Sequence, residues 1–231
     1  MPHAVIVAHG QPSDPEPAEA SLAAFAQNVG ALAPAVSVHS ATLAAPGALE
    51  TCLDALPDGT AIYPLFMARG WFVTSALPKR VGSRAVRILD PLGIDPDLPE
   101  LAAAALHETL SDRGWPVEET DLVIAAHGSG RSPNPAKVTL DFSTNLGKLL
   151  QFNTIRVGFV EQPPSISEAA SGSGHMAICL PFFACTGGHV LEDVPSELAH
   201  AGFSGAVTSV IGELPPIQKQ IADRLTRALC P

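Results

Sequence analysis

The sequence predicts an α/β protein built from two copies of one (βα)4 unit, each with a parallel four-stranded sheet. Three observations carry that prediction. An apolar run of strand type ends in Ala-His-Gly twice, as Ala4-Val-Ile-Val-Ala-His9-Gly10 and as Asp121-Leu-Val-Ile-Ala-Ala-His127-Gly128. The two histidines lie 118 residues apart, about half of the 231-residue chain, and further matches keep that spacing. Pro15-x-Pro17 matches Pro133-x-Pro135 at 118, while Tyr63-Pro-Leu-Phe66 matches Leu180-Pro-Phe-Phe183 at 117. Gly70 with Gly187 and Pro78 with Pro195 also stand 117 apart. A near-constant offset across separate motifs marks an internal duplication. Finally, the apolar runs do not alternate with polar residues, which suits strands covered on both faces by helices.

Taken in order, the first half predicts strands over 4–8, 36–42, 61–66 and 85–89, with helices clearest over 18–32, 46–56 and 96–110. The short polar stretch Gly114-Trp-Pro-Val-Glu-Glu-Thr120, broken by proline, sets the boundary between a lobe over 1–115 and a lobe over 116–231. The second half repeats the plan, with strands near 122–126, 155–160, 176–183 and 206–211. Helices follow at 135–150, 165–170, 191–201 and 215–229. The expected architecture is two flavodoxin-like lobes facing an interlobe cleft at the carboxyl ends of the strands.

Composition narrows the function classes. With 46% hydrophobic and 16% charged residues, the chain reads as a compact soluble protein. Thirteen basic and 23 acidic residues leave a net charge of −10, which argues against a nucleic-acid partner. No apolar run approaches the roughly 18 residues of a membrane span, and no basic-then-apolar N-terminal segment suggests export. Cys52, Cys179, Cys185 and Cys230 show no Cys-x-x-Cys spacing and read as small hydrophobes in a reducing cytoplasm. Oligomeric state is not legible.

Chemistry concentrates in the second lobe. His127 follows its first strand, Glu161 its second, and His189 lies in Thr186-Gly-Gly-His after its third. In a parallel sheet all three emerge at one edge. Two imidazoles and a carboxylate, with room for another ligand, form an open site for a borderline divalent metal such as Fe, Co, Ni or Zn. Singly, each is more ordinarily a structural histidine or a helix-start acid; their convergence points to a site. The carboxylate either ligates the metal or accepts a proton. In the first lobe His9 survives, but the offsets place about Leu43 opposite Glu161 and Phe72 opposite His189, so that copy reads as vestigial or reassigned. Asp193 is a helix-start acid or an orienter of an imidazole. His3, His39, His107, His175 and His200 read as surface or structural.

Between Asp58 and Asp90 there is no acid, yet Arg69, Lys79, Arg80, Arg84 and Arg87 all fall there. They form either a solvated helix face or a cationic wall for a polyanion, with Arg69 near the cleft rim. Arg131 is placed to join them, and the backbone around Gly128-Ser129-Gly130 offers N–H groups to a carboxylate.

Ala-His-Gly-Ser at a strand end, Phe-Val-Glu after the next strand, and Leu-Pro-Phe-Phe-x(3)-Gly-Gly-His-Val-x-Glu-Asp-Val-Pro resemble the CbiX-like sirohydrochlorin chelatases. These belong to the class II tetrapyrrole chelatases, which also include ferrochelatase. The resemblance covers nearly the whole chain. It implies insertion of a divalent metal, cobalt ahead of iron or nickel, into sirohydrochlorin for cobalamin or siroheme, with no cofactor beyond that metal. It puts the metal-handling histidines on His127 and His189 and the acidic partner on Glu161. The chain departs from the family pattern at Leu191, where a basic residue is usual, and at Gly130, with Arg131 one residue later. An octacarboxylate macrocycle calls for donors at its rim, with Ser129, Gly130, Arg131 and Arg69 as candidates. It also calls for an apolar slot, with Phe159, Phe182 and Phe183 as candidates. The alternative is a non-catalytic carrier of metal or tetrapyrrole with the same fold.

Overall fold

A computed structural model describes residues 1–230 and contains two separate four-stranded parallel sheets. In chain order the first repeat gives β1 (His3–Ala8), α1 (Pro15–Leu32), β2 (Ser37–Thr42), α2 (Ala48–Asp54), β3 (Ala61–Pro64), α3 (Leu77–Val81), β4 (Arg87–Ile88) and α4 (Leu98–Arg113). The second gives β5 (Asp121–Ala126), α5 (Asn134–Leu149), β6 (Thr154–Phe159), α6 (Ile166–Ala170), β7 (Ala177–Phe182), α7 (Val194–His200), β8 (Ala206–Val207) and α8 (Pro215–Leu229). The sheet orders, β2-β1-β3-β4 and β6-β5-β7-β8, are the same order written twice. In each, the order reverses at the first strand of the repeat, and such switch points leave a crevice beyond the carboxyl ends of the strands.

Local sequence explains the elements. Every residue of β5 is buried, as continuous apolar strands in doubly covered parallel sheets require. Prolines stand in the first turns of α1, α4, α5 and α7, where the missing N–H costs nothing. The short α6 is held by a reciprocal cap between Ser165 and Glu168.

Packing repeats along with topology. Val5, Leu49, Leu53, Ile62, Leu77 and Val81 share one core, and Val123, Ile166, Ala170, Cys179, Val194 and Leu198 stand at the matching places in the other. Each buried Val, Leu or Ile side chain among them contributes about 1.5–3 kcal/mol. Cys179 is one of these core residues; burial pushes its thiol up to about 12, as expected of a small hydrophobe rather than a reactive group. All four cysteines are free.

The compact units do not coincide with the sequence halves. One comprises Met1–Asp95 with the C-terminal segment from Gln218; the other is Pro96–Ile217. The closing helix of the first repeat, α4, therefore belongs to the second unit, where it packs on α5, and most of α8 belongs to the first. The proline-broken stretch before Thr120 marks where the repeat ends in sequence, and packing divides the chain earlier. No helix among the described residues is long and apolar enough to cross a membrane.

Candidate metal centre

His127, Glu161 and His189 come together at the carboxyl edge of the second sheet, each offering a ligand atom within 4.8 Å of the others. The strands that deliver them continue their ladder into the site. Val160 N–H donates to the Ala126 carbonyl at 3.0 Å, and Glu161 N–H to the His127 carbonyl at 2.9 Å. Directly after His127 the chain turns sharply through Gly128 at φ +68°. A Cβ there would lie 2.8 Å from Cγ of Gln162 and 3.0 Å from Cβ of Phe159, so the turn demands glycine on both conformational and steric grounds. His189 opens a π-helical turn, His189–Asp193, that runs directly into α7. Single π turns of this kind recur at functional sites.

The hydrogen bonds define which ring nitrogens are free. His127 Nδ1 lies 3.0 Å from the Gly128 carbonyl, and His189 Nδ1 lies 2.6 Å from Oδ2 of Asp193. A carbonyl or ionised carboxylate only accepts, so each Nδ1 carries the proton and each Nε2 keeps a lone pair for a metal. Asp193 thereby fixes the tautomer and ring direction of His189, the outer role that ligating histidines ordinarily require. The two rings stand edge to face, centroids 4.6 Å apart and planes at 87°. His127 and Glu161 are exposed and His189 is half-buried, so an ion and a second reactant can enter.

One supporting residue escaped sequence reasoning. Glu213 accepts Thr186 N–H at 2.7 Å and Thr186 Oγ1–H at 2.9 Å, anchoring the start of the loop that carries His189. The neighbouring Gly212 allows this: a Cβ there would fall 1.9 Å from the Ala184 carbonyl oxygen. The signal in the sequence was a lone Gly-Glu pair, which by itself points nowhere.

The other expected site residues fare unevenly. Ser129 Oγ accepts the N–H groups of Arg131 at 3.1 Å and Ser132 at 3.2 Å, so that hydroxyl shapes the loop. Gly130 and Arg131 are exposed in the same loop, and among the described residues Arg131 makes no ion pair. The apolar slot needs correction: Phe159, Phe182 and Phe183 are 3%, 2% and 9% exposed, and Phe183 packs inside the core of its unit. Strand-end aromatics in a doubly covered sheet turn inward. Leu191, in the π turn two residues after His189, is 66% exposed.

The cationic wall in the first unit is also mostly spoken for. Arg69 pairs with Asp90, Arg84 with Asp54 at 2.7 Å, and Arg80 grips Glu50 (Nε to Oε1, 2.6 Å) and the Leu43 carbonyl (2.5 Å). Arg87 donates to the Ala228 carbonyl at 3.1 Å. The acids of α2 supply partners that the acid-free stretch of sequence does not contain.

In the first unit, His9 repeats the local geometry of His127, with Nδ1 2.8 Å from the Gly10 carbonyl. Phe72 begins the equivalent π turn, Phe72–Ala76, and occupies the place of His189. The counterpart of Glu161 is Ala44, not Leu43. Ala44 N–H donates to the His9 carbonyl as Glu161 N–H does to that of His127, because the offset has shortened to 117 by β2. Neither ligand is replaced by another donor.

A solved structure described as that of CbiX, the terminal enzyme for biosynthesis of siroheme in denitrifying bacteria, superposes with a TM-score of 0.87. It is 43% identical, over 98% of this chain and 99% of that one. SirB from Bacillus subtilis with Fe3+ shares the fold at 20% identity and a TM-score of 0.74, over 100% of this chain and 96% of its own. The sirohydrochlorin chelatase SirB from Bacillus subtilis subspecies spizizenii, in complex with cobalt, does so at 16% and 0.69, over 99% and 96%. No curated protein matches the sequence. The CbiX family model matches twice, over residues 3–109 and 121–228, one copy in each repeat, and the chain belongs to the CbiX family.

Proposed function

We propose that this protein is a sirohydrochlorin chelatase and that His127, Glu161 and His189 are its metal-handling and catalytic residues. The observation that carries the proposal is the convergence of two Nε2 lone pairs and a carboxylate at one exposed sheet edge. Membership of the CbiX family supports the substrate class.

The chemistry needs little more. Inserting M2+ into the free-base macrocycle releases two pyrrole N–H protons and leaves the metal on four nitrogens. His127 and His189 present the ion through neutral imidazole, and Glu161 with one of the histidines takes up the departing protons as pyrrole nitrogens replace protein ligands. Asp193 keeps His189 aimed throughout. The Gly130 N–H and the Arg131 guanidinium, in the exposed loop whose other N–H groups are held by Ser129 Oγ and Gln162, meet macrocycle carboxylates at the rim. Leu191 offers the apolar contact that the buried phenylalanines do not.

Imidazole and carboxylate accept Fe, Co and Ni alike. The 43%-identical relative is described as an enzyme of siroheme biosynthesis, which favours iron over the cobalt that the sequence reading put first. The test follows the absorption change of sirohydrochlorin with Fe2+, Co2+ and Ni2+ at equal free concentration. Catalysed conversion, fastest with Fe2+, is expected. Tight macrocycle binding with no acceleration for any metal identifies a carrier instead.

A further inference from the structure

His3 and His39, far apart in sequence, face each other across the outer strand pair of the first sheet. The parallel register aligns His3 with Ser37 and Val5 with His39, so both histidines project from one face. His3 Nδ1 lies 3.0 Å from His39 Nε2, the rings are stacked with planes at 22°, and Ser37 Oγ lies 3.1 Å from the same Nε2. Both residues are half-buried. They stand at the amino-terminal end of their strands, the opposite edge from His9.

The second repeat shows what these positions hold when their task is only to tie two strands. His3, Ser37 and His39 correspond in register to Asp121, Thr154 and Arg156. There Asp121 accepts Thr154 Oγ1–H at 2.7 Å and Asn153 Nδ2–H at 2.8 Å, with Arg156 3.5 Å away as counter-charge. Complementary acid and base have no analogue in the first repeat. Two imidazoles offer no opposite charges: neutral, they join through one N–H···N hydrogen bond between the facing nitrogens, and doubly charged they repel.

Two imidazole nitrogens at this separation do suit a metal ion. Bonds of about 2.0–2.1 Å to one ion place the nitrogens roughly 2.9 Å apart at a right angle and about 3.4 Å at a tetrahedral angle. The observed 3.0 Å falls within that span, so an ion can enter without moving either strand once the shared proton shifts to the far nitrogen of its own ring, which leaves both facing nitrogens with a lone pair. We infer that His3 and His39 form a second, open binding site for a borderline divalent cation, completed by water. With two protein ligands rather than three, it holds the ion more weakly than His127, Glu161 and His189.

The inference does not depend on chelatase activity, and binding alone tests it. The full chain is dialysed to equilibrium against Ni2+, and bound metal is counted. His127→Ala/His189→Ala is expected to retain one ion per chain, and adding His39→Gln to abolish it. Ni2+ broadening of the His3 and His39 imidazole resonances in the double variant provides the second readout, since loss of fold in the triple variant cannot mimic it. Broadening at both residues supports the site. A double variant that binds no ion, or a retained ion that leaves those two resonances unbroadened, overturns it.

Discussion

Phe72 stands edge-on to His9, ring centroids 4.2 Å apart and planes at 71°, in nearly the geometry that His189 holds toward His127. The first unit keeps the backbone of the proposed metal site, including the π turn and His9, and carries hydrocarbon in place of the other two donors. The duplication can therefore be read as an internal control, with chemistry removed and backbone retained.

Restoring the donors should restore binding. In Phe72→His/Ala44→Glu the new imidazole starts the same π turn and the new carboxylate leaves the same backbone register. The variant is expected to bind one more Co2+ per chain than wild type, counted by equilibrium dialysis. Its affinity should fall roughly 10–100-fold short of the native centre, because Ala76 stands where Asp193 orients His189. An unchanged stoichiometry would show that the first unit has lost more than its ligands.

Asp193→Asn tests the orienting bond itself. The 2.6 Å contact to His189 Nδ1 loses its charge and its preference for one tautomer. Metal affinity at the centre should drop about 10–100-fold while the unfolding midpoint of metal-free protein changes little, since both side chains are partly exposed. Cobalt titration by visible absorption separates the two effects. Equal Co2+ affinity in variant and wild type would remove Asp193 from the account.

Acid stability should report on the strand tie in the second repeat. Burial works to raise the Asp121 carboxyl, but hydrogen bonds from Thr154, Asn153 and the Gly174 backbone, with the Arg156 charge, outweigh it and hold the group below its ordinary value. The native state thus binds the proton less readily than the unfolded chain. The stabilisation is complete above the unfolded value near 3.8 and is lost as pH falls through the native one. Asp121→Asn should cost about 1–3 kcal/mol at pH 7, with the gap to wild type closing below pH 3.8 in urea unfolding. A gap that stays constant with pH would contradict the linkage.

Much of this was legible in the sequence because duplication writes each signal twice. All eight strands, the fold and the three convergent residues follow from apolar runs that end in chemistry-bearing residues at repeated offsets. What was missed depends on three-dimensional partners. The π turns at Phe72–Ala76 and His189–Asp193 have no compositional signature. The drift from 118 to 117 moved the counterpart of Glu161 from Leu43 to Ala44, and only the backbone bonds reveal it. Phe183 turned into the core because an inward position at a strand end looks no different in sequence from an outward one. The acids that neutralise Arg80 and Arg84 lie 30 residues back on α2, and His3 meets His39 only through strand pairing.

The central claim is that chelation runs through His127 and His189. Its most direct test is the initial rate of sirohydrochlorin metallation, with Fe2+ and with Co2+, in wild type and in His127→Ala/His189→Ala, whose fold is checked by circular dichroism. The double variant is expected to metallate sirohydrochlorin no faster than the reaction without protein. A double variant as fast as wild type would contradict it.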